Sequence, residues 1–360
     1  MQLIHLSEEL ITRVVDGREA PVRRIPAATA LALGSFDGLH LGHGALIAAI
    51  KGAQGRSLAE ASCLFTFRGH PRLVLDGRGP LMLTSWHEKL ALLQSADLDT
   101  VVVADFCPAL ARVGYDAFVR NFLVGMLGMV HLVGGHDAHL GANRGGTATS
   151  LAELGTKLGY TFEEVPAECL PDGRLVSSSA IRRLLAAGDV ADAASMLGRP
   201  YGLWGEVGYG DGTGQEIGFP TANIEALEAD KLLPAPGVYA VKVHVPQDAV
   251  LPTDLPGALA LHHGVLPEMD GDGELRGILD TDRVVFRGML NHGTAPTVHP
   301  GGLDKARLEV HILDFSGYIR ERSLKIEWIA RLRDEKTFGS IDELRAQLSR
   351  DEQLVRDLVR

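Results

Sequence analysis

The sequence predicts two domains of different class. Residues 1–199 read as an α/β domain on a parallel sheet, and residues 200–360 as a small antiparallel β-barrel with a C-terminal helix. Three observations predict this. The 360 residues exceed what one hydrophobic core usually organises. Apolar, strand-like runs alternate with helical patterns through the first half, as a parallel sheet covered by helices requires. After Gly198, Arg199 and Pro200 the pattern changes to glycine-rich turns and short alternating runs, the signature of a small barrel.

The elements follow in order. Residues 27–33, 61–67, 100–104, 130–134 and 161–165 are the expected strands of the first domain. Residues 42–51, 86–94, 116–127 and 148–158 are the helices between and after them. Two short helices, 178–187 and 190–196, lead to the boundary at 199. In the second domain, residues 203–207, 238–245, 284–290 and 308–315 are expected strands, and residues 341–358 an amphipathic helix. Residues 246–282 are rich in Pro, Gly and Asp and read as a long loop or insertion. That stretch carries His262, His263, Glu268, Asp270, Asp272 and Glu274; a solvated acidic loop outweighs a metal site there.

Composition narrows the function. The formal net charge is −11, which argues against a general nucleic-acid binder but not against a nucleotide enzyme. Local backbone donors and a few cations suffice to hold phosphate. Cys63, Cys107 and Cys169 lie far apart with no CxxC pair, so neither a cysteine metal site nor a disulfide framework is expected. The first residues show no signal-peptide pattern, and no apolar run reaches membrane-spanning length. The expectation is a cytoplasmic protein with small-molecule partners, without nucleic acid or membrane, and compatible with a homo-oligomer.

The strongest local signal is GSFDGLHLGH at residues 34–43, where the first expected strand hands over to a helix. His40 and His43, separated by two residues at a helix start, can both turn toward one phosphate chain. Gly34, Gly38 and Gly42 let backbone N–H groups approach it, and the helix dipole favours an anion there. Nucleotidyl transfer needs no nucleophilic side chain, only positioning and charge stabilisation. The plainer reading is that the two histidines cap a turn.

These residues resemble the GxFDGxHxGH signature of bifunctional riboflavin kinase/FAD synthetases, whose first domain is a Rossmann-like, HxGH-type nucleotidyltransferase. Three more segments match in order: TFRGHP at 66–71, GHDAHLGANRGG at 135–146 and VSSSAIR at 176–182. The resemblance implies ATP contacts from Gly34, Phe36, Asp37, Gly38, His40, His43, Ser177, Ser178 and Arg182, with His40 and His43 catalytic. It implies flavin contacts from Thr66, His70, Pro71, Asp137 and Arg144. Ser177 and Ser178 are also suited to capping a helix, and one residue can serve both ends. Gly69, Ala138 and Leu140 depart from the family pattern and bear on the shape of the flavin pocket.

The second half carries GFPTAN at 218–223, after a glycine-dense run that includes Gly210, Gly212 and Gly214. Such a loop can wrap phosphates through backbone donors. Thr221 and Asn223 face one way if the segment is extended, and their oxygens suit Mg²⁺. A turn followed by a strand start explains the same residues. The run resembles the GxPTAN motif of riboflavin kinases, and implies phosphate contacts from Gly210, Gly212, Gly214, Gly218, Thr221 and Asn223, with Mg²⁺ on Thr221 and Asn223. PGVY at 236–239, GMLNHGTAPT at 288–297, LEVHILDF at 308–315 and LRDEKTF at 332–338 resemble further family segments. By the same resemblance Glu309 is the general base for the riboflavin 5′-hydroxyl; in isolation it reads as an exposed strand glutamate. Gln215 and Ala295 stand where the family usually has arginine. Each lost charge-assisted hydrogen bond costs about 1.5–3 kcal/mol.

The resemblance covers nearly the whole chain. It implies that riboflavin and ATP give FMN and ADP, and that FMN and ATP give FAD and pyrophosphate. Three alternatives stay open at this point: an adenylyltransferase with an impaired kinase domain, a related flavin nucleotidyltransferase, and a non-catalytic flavin-binding paralogue.

Overall fold

The computed structural model describes residues 1–209, 213–251, 254, 260–269, 275–295 and 305–360. The chain forms two compact units. The first comprises Met1–Met82, Lys89–Ser177 and Pro267–Gly277; the second comprises Leu83–Glu88, Ser178–Leu266 and Ile278–Arg360. The units therefore part at Ser177, while the composition changes near Arg199.

The first unit opens with β1 (Gln2–Leu6) and α1 (Glu8–Val15), neither of which the sequence pattern announces. There follow β2 (Thr29–Leu33), α2 (Leu41–Gly55), β3 (Ala61–Arg68), α3 (Pro71–Asp76), α4 (Trp86–Ser95) and β4 (Thr100–Asp105). Two single-turn helices, α5 (Pro108–Ala111) and α6 (Tyr115–Phe118), run into a π-helical segment, Val119–Met126. Then come β5 (Met129–Gly135), a 3₁₀ turn at Ala142–Arg144, α7 (Ala148–Leu158) and β6 (Thr161–Val165).

The six strands form one sheet in the order β1-β4-β3-β2-β5-β6, and every pairing is parallel. Strands β2, β3 and β4 are buried almost throughout, which is why they read as continuous apolar runs rather than alternating ones. β2 is central, and the chain leaves it toward β3 on one side and later returns to β5 on the other. The carboxyl ends of β2 and β5 thus flank a topological switch point, where such sheets open a crevice.

The second unit begins with α8 (Ser178–Ala187) and α9 (Val190–Leu197). The strands are β7 (Tyr201–Gly208), β8 (Ala222–Ala226), β9 (Gly237–Pro246), β10 (Ala260–Met269), β11 (Leu275–Ala295), β12 (Lys305–Ile312) and β13 (Ser323–Arg333). Between β7 and β8 lies the short helix α10 (Thr213–Glu216), and α11 (Ile341–Leu358) ends the chain. The order β11-β12-β8-β7-β13-β9 closes because β9 pairs back onto β11, giving a six-stranded antiparallel barrel, with β10 beside β11 outside the ring.

The barrel interior is filled by alternate residues such as Val241, Val243, Phe286, Leu290, Val310 and Ile326, all fully buried. Gly288 is needed among them, because a Cβ there would sit 2.6 Å from Val243 Cγ2. On the outer face, α11 presses Val355 and Val359 onto Val238, Ala240 and Met289.

Residues 246–282, read from the sequence as a long loop or insertion, hold β10 and the first third of β11. Pro, Gly and Asp masked a strand pattern that sheet pairing supports. Asp270, Asp272 and Glu274 lie outside the described residues, as do the side chains of His262, His263 and Glu268.

Candidate active sites

The first site starts where β2 ends. The strand's pairing extends one residue further, with Gly34 N donating to Phe65 O at 3.1 Å. The chain then turns through positive φ at Phe36 (48°), Gly38 (83°) and Leu39 (41°). Two of these are not glycine, and such conformations persist only where the surroundings enforce them. The fully buried Phe36 ring provides part of that, packed 5.0 Å from the His43 ring, and Asp37 is buried beside it in sequence.

His40 is the N-cap of α2, and His43 N donates to its Nδ1 at 3.4 Å. An accepting Nδ1 places the imidazole proton on Nε2, so the neutral ring offers a donor there. The two rings stack at 3.7 Å and 16°. Gly42 makes room for this: a Cβ would lie 3.3 Å from the His40 ring. His40 therefore caps the helix, as the plainer reading had it, and the same helix start is the place where an anion is favoured. His40 is buried and His43 half-buried.

The two neighbouring strands bring their own loops. At the end of β3, His70 caps α3 by accepting from Arg72 N at 3.1 Å, and Pro71 fills the first helical position. Thr66 is fully buried, and its hydroxyl donates to Ser35 O at 3.1 Å, so it braces the β2 turn. At the end of β5, Asp137 and Arg144 are both exposed. His139 joins them, with Nδ1 2.8 Å from Asp137 O and 3.3 Å from the Arg144 guanidinium. Gly141 (φ 71°) lets this loop lie against Tyr115, whose backbone N would be 2.3 Å from a Cβ. The loops after β3, β2 and β5 are thus adjacent at one end of the sheet. Ser177 closes the chain segment of this unit; Ser178 opens α8 of the second unit, with Arg182 one turn further on the same face.

Sequence reasoning missed Lys89. It is fully buried, and its Nζ donates to Ser35 O at 2.9 Å and to Phe67 O at 3.4 Å. The available signal was a lysine four residues before Leu93, on the apolar stripe of a helix.

The second site is a cavity of about 900 Å³ on the barrel, lined by Gly214, Thr221, Asn223, Asn291, Glu309 and Arg307 among others. In the sheet register, Asn291 is opposite Glu309 and Glu309 opposite Asn223. Directly opposed residues share a face, so one carboxylate stands between two side-chain amides on three neighbouring strands. Arg307, two residues before it on the same face, holds Glu309 Oε1 at 2.7 Å. His311, two residues after, lies 2.8 Å from Pro220 O and edge-on to Phe219. Arg307, Glu309 and His311 line the cavity and are half-buried, while Leu308, Val310 and Ile312 are buried.

Gly214 receives Phe219 N on its carbonyl at 2.8 Å, and a Cβ would fall 2.5 Å from Phe219 O, so only glycine allows this approach. Gly218 takes φ 88° in the turn before Thr221. Thr221 and Asn223 line this cavity, and their oxygens are hard donors, few in number, of the kind that suits Mg²⁺. Gly210 and Gly212 lie outside the described residues, as do the side chains of Gln215 and Ala295.

A parallel α/β unit with a histidine-bearing anion turn, joined to a closed barrel with a carboxylate in its cavity, defines a two-part nucleotide transferase. A family model described as FAD synthetase matches residues 22–180, and one described as riboflavin kinase matches residues 197–359. The chain belongs to the bifunctional riboflavin kinase/FMN adenylyltransferase family. The relative of that description from Haemophilus influenzae is 32% identical over 91% of this chain and 93% of its own. That from Bacillus subtilis is 31% identical over 92% and 93%. A crystal structure described as a macrolide-efflux protein from Streptococcus pneumoniae superposes over 98% of this chain and 99% of its own, with TM-score 0.77 and 26% identity. Among the described residues here, no helix is long and apolar enough to cross a membrane.

Proposed function

We propose that this chain makes both flavin nucleotides, phosphorylating riboflavin to FMN on the barrel and joining AMP from ATP to FMN on the α/β unit. Two observations support the reading: GSFDGLHLGH, TFRGHP and GHDAHLGANRGG lie at the carboxyl ends of β2, β3 and β5, neighbours in the parallel sheet, and Thr221, Asn223, Asn291 and Glu309 line one cavity of the barrel. We take 1–199 and 200–360 as the two functional domains.

On the barrel, Glu309 accepts the proton of the riboflavin 5′-hydroxyl as that oxygen attacks the γ-phosphorus of ATP, and ADP leaves. Asn223 and Asn291 fix the carboxylate's neighbourhood, and Arg307 orients it. Thr221 and Asn223 are the residues to hold Mg²⁺, which neutralises phosphate charge. Gly214 and Gly218 shape the phosphate loop. On the α/β unit, a phosphate oxygen of FMN attacks the α-phosphorus of ATP and pyrophosphate departs. The turn Gly34–Gly38, His40 and His43 bind the phosphates, with His40 Nε2–H a donor for the developing charge. The family resemblance assigns Ser177, Ser178 and Arg182 to the triphosphate. His70, Pro71, Asp137 and Arg144 are the flavin-side residues.

Purified protein given riboflavin, ATP and Mg²⁺ is expected to yield FMN and then FAD on chromatography. Conversion of supplied FMN alone would confine the activity to the first unit, and conversion of neither would sink the proposal.

A further inference from the structure

The turn after β2 depends on one carbonyl. Ser35 O stands just before the positive-φ residues Phe36, Gly38 and Leu39, and it accepts from both Lys89 Nζ (2.9 Å) and Thr66 Oγ1 (3.1 Å). Lys89 also reaches Phe67 O (3.4 Å), the last but one carbonyl of β3, immediately before the loop that carries His70 and Pro71. Its side chain is 1% exposed. A buried ammonium is costly unless its donors are used, and here they are used on the ends of two adjacent strands.

We propose that Lys89 is a positioning residue for FMN adenylylation: one cation that holds the nucleotide turn after β2 and the flavin-side loop after β3 in fixed register. The inference rests on the assignment of those two loops above. A lysine suits the task because its three donors radiate from one point, so two carbonyls of different strands can share it. Thr66 braces the first of the two loops, its hydroxyl donating to Ser35 O.

The test uses the full chain and Lys89→Met, which keeps the length of the side chain and removes the charge. FAD formation is measured with separate KM values for ATP and FMN, and riboflavin phosphorylation is measured on the same preparation. The expected result is a rise in both KM values and a fall of about a hundredfold in kcat/KM for FAD formation. FMN formation should stay within about twofold of the parent. A partly unfolded population lowers apparent kcat and leaves KM unchanged, so the KM rise separates positioning from loss of fold. Thr66→Val should raise the KM for ATP and leave that for FMN. The inference is overturned if Lys89→Met keeps FAD formation near the parent level, shifts only one KM, lowers kcat alone, or loses both activities together. A parent protein that makes no FAD from FMN and ATP would overturn the site assignment itself, and this inference with it.

Discussion

Glu309 and His43 belong to different chemistry on different frameworks, and single substitutions should separate them. Glu309 lies opposite Asn223 and Asn291 in the sheet register and is bound by Arg307 at 2.7 Å. Glu309→Gln keeps the shape and removes the base; riboflavin phosphorylation should fall by roughly 10²–10⁴-fold while FMN adenylylation is unchanged. His43→Ala removes the ring that stacks on His40 and should do the reverse, abolishing FAD formation and sparing FMN formation. Chromatography of flavins from each variant, given riboflavin or FMN, checks both. At this scale the sequence made the motif residues legible, because short glycine-rich patterns carry their chemistry locally. It did not show that Thr66 spends its hydroxyl on Ser35 O, or that Lys89 is buried. Both depend on which side chain a neighbouring strand or helix delivers, and that is set by packing between segments far apart in sequence.

At the scale of elements, the segment leading into α4 is fixed within the second unit by a buried ion pair. Lys231 Nζ lies 2.5 Å from Glu88 Oε2 and 2.8 Å from Leu83 O, both side chains being nearly inaccessible. Glu88 also accepts from Ser85 N and Trp204 N, and Ser85 Oγ accepts from Glu88 N, a reciprocal capping arrangement. Removing one partner leaves the other charge buried and uncompensated. Lys231→Met is expected to destabilise by about 3–5 kcal/mol, and the double change with Glu88→Gln by less than the sum; denaturant melts of the two single variants and the double variant read this. The strands of the parallel sheet were legible as unbroken apolar runs, since both faces are buried. β1 was not, because it is an edge strand with only Leu6 fully buried. β8 begins within GFPTAN, as a turn followed by a strand start requires, while β10 lies in a stretch that reads as a loop or insertion, since Gly, Pro and Asp carry turn signals that sheet pairing overrides.

At the scale of the molecule, the charged groups built into the folded state set its acid limit. Burial would raise the pKa of Glu327, but His244 at 3.1 Å and Lys325 at 2.7 Å outweigh it and hold the carboxyl down to about 2. In the same direction, the Arg356 fork lowers Asp314, and the Ser62 backbone N–H lowers Asp99 in the other unit. A carboxyl with a depressed folded pKa contributes stability above its unfolded value, near 4.5 for Glu327, and loses it as pH falls toward the folded value. Melting temperature should therefore drop between about pH 4.5 and pH 2, and Glu327→Gln should flatten that drop relative to the parent. The two-domain plan was legible in the change of pattern near Arg199. The division at Ser177 was not, because α8 and α9 read as a continuation of the alternating half while their contacts place them with the barrel unit.

The claim that the two reactions run at separate sites, one per unit, has a direct measurement. His43→Ala and Glu309→Gln proteins are each incubated with riboflavin, ATP and Mg²⁺, then mixed, and FAD is followed by chromatography. Two separate sites predict FMN only from His43→Ala, FAD from Glu309→Gln at a rate lowered by roughly 10²–10⁴-fold, and rapid FAD formation from the mixture. FAD from His43→Ala alone, or a mixture no faster than Glu309→Gln alone, would contradict it.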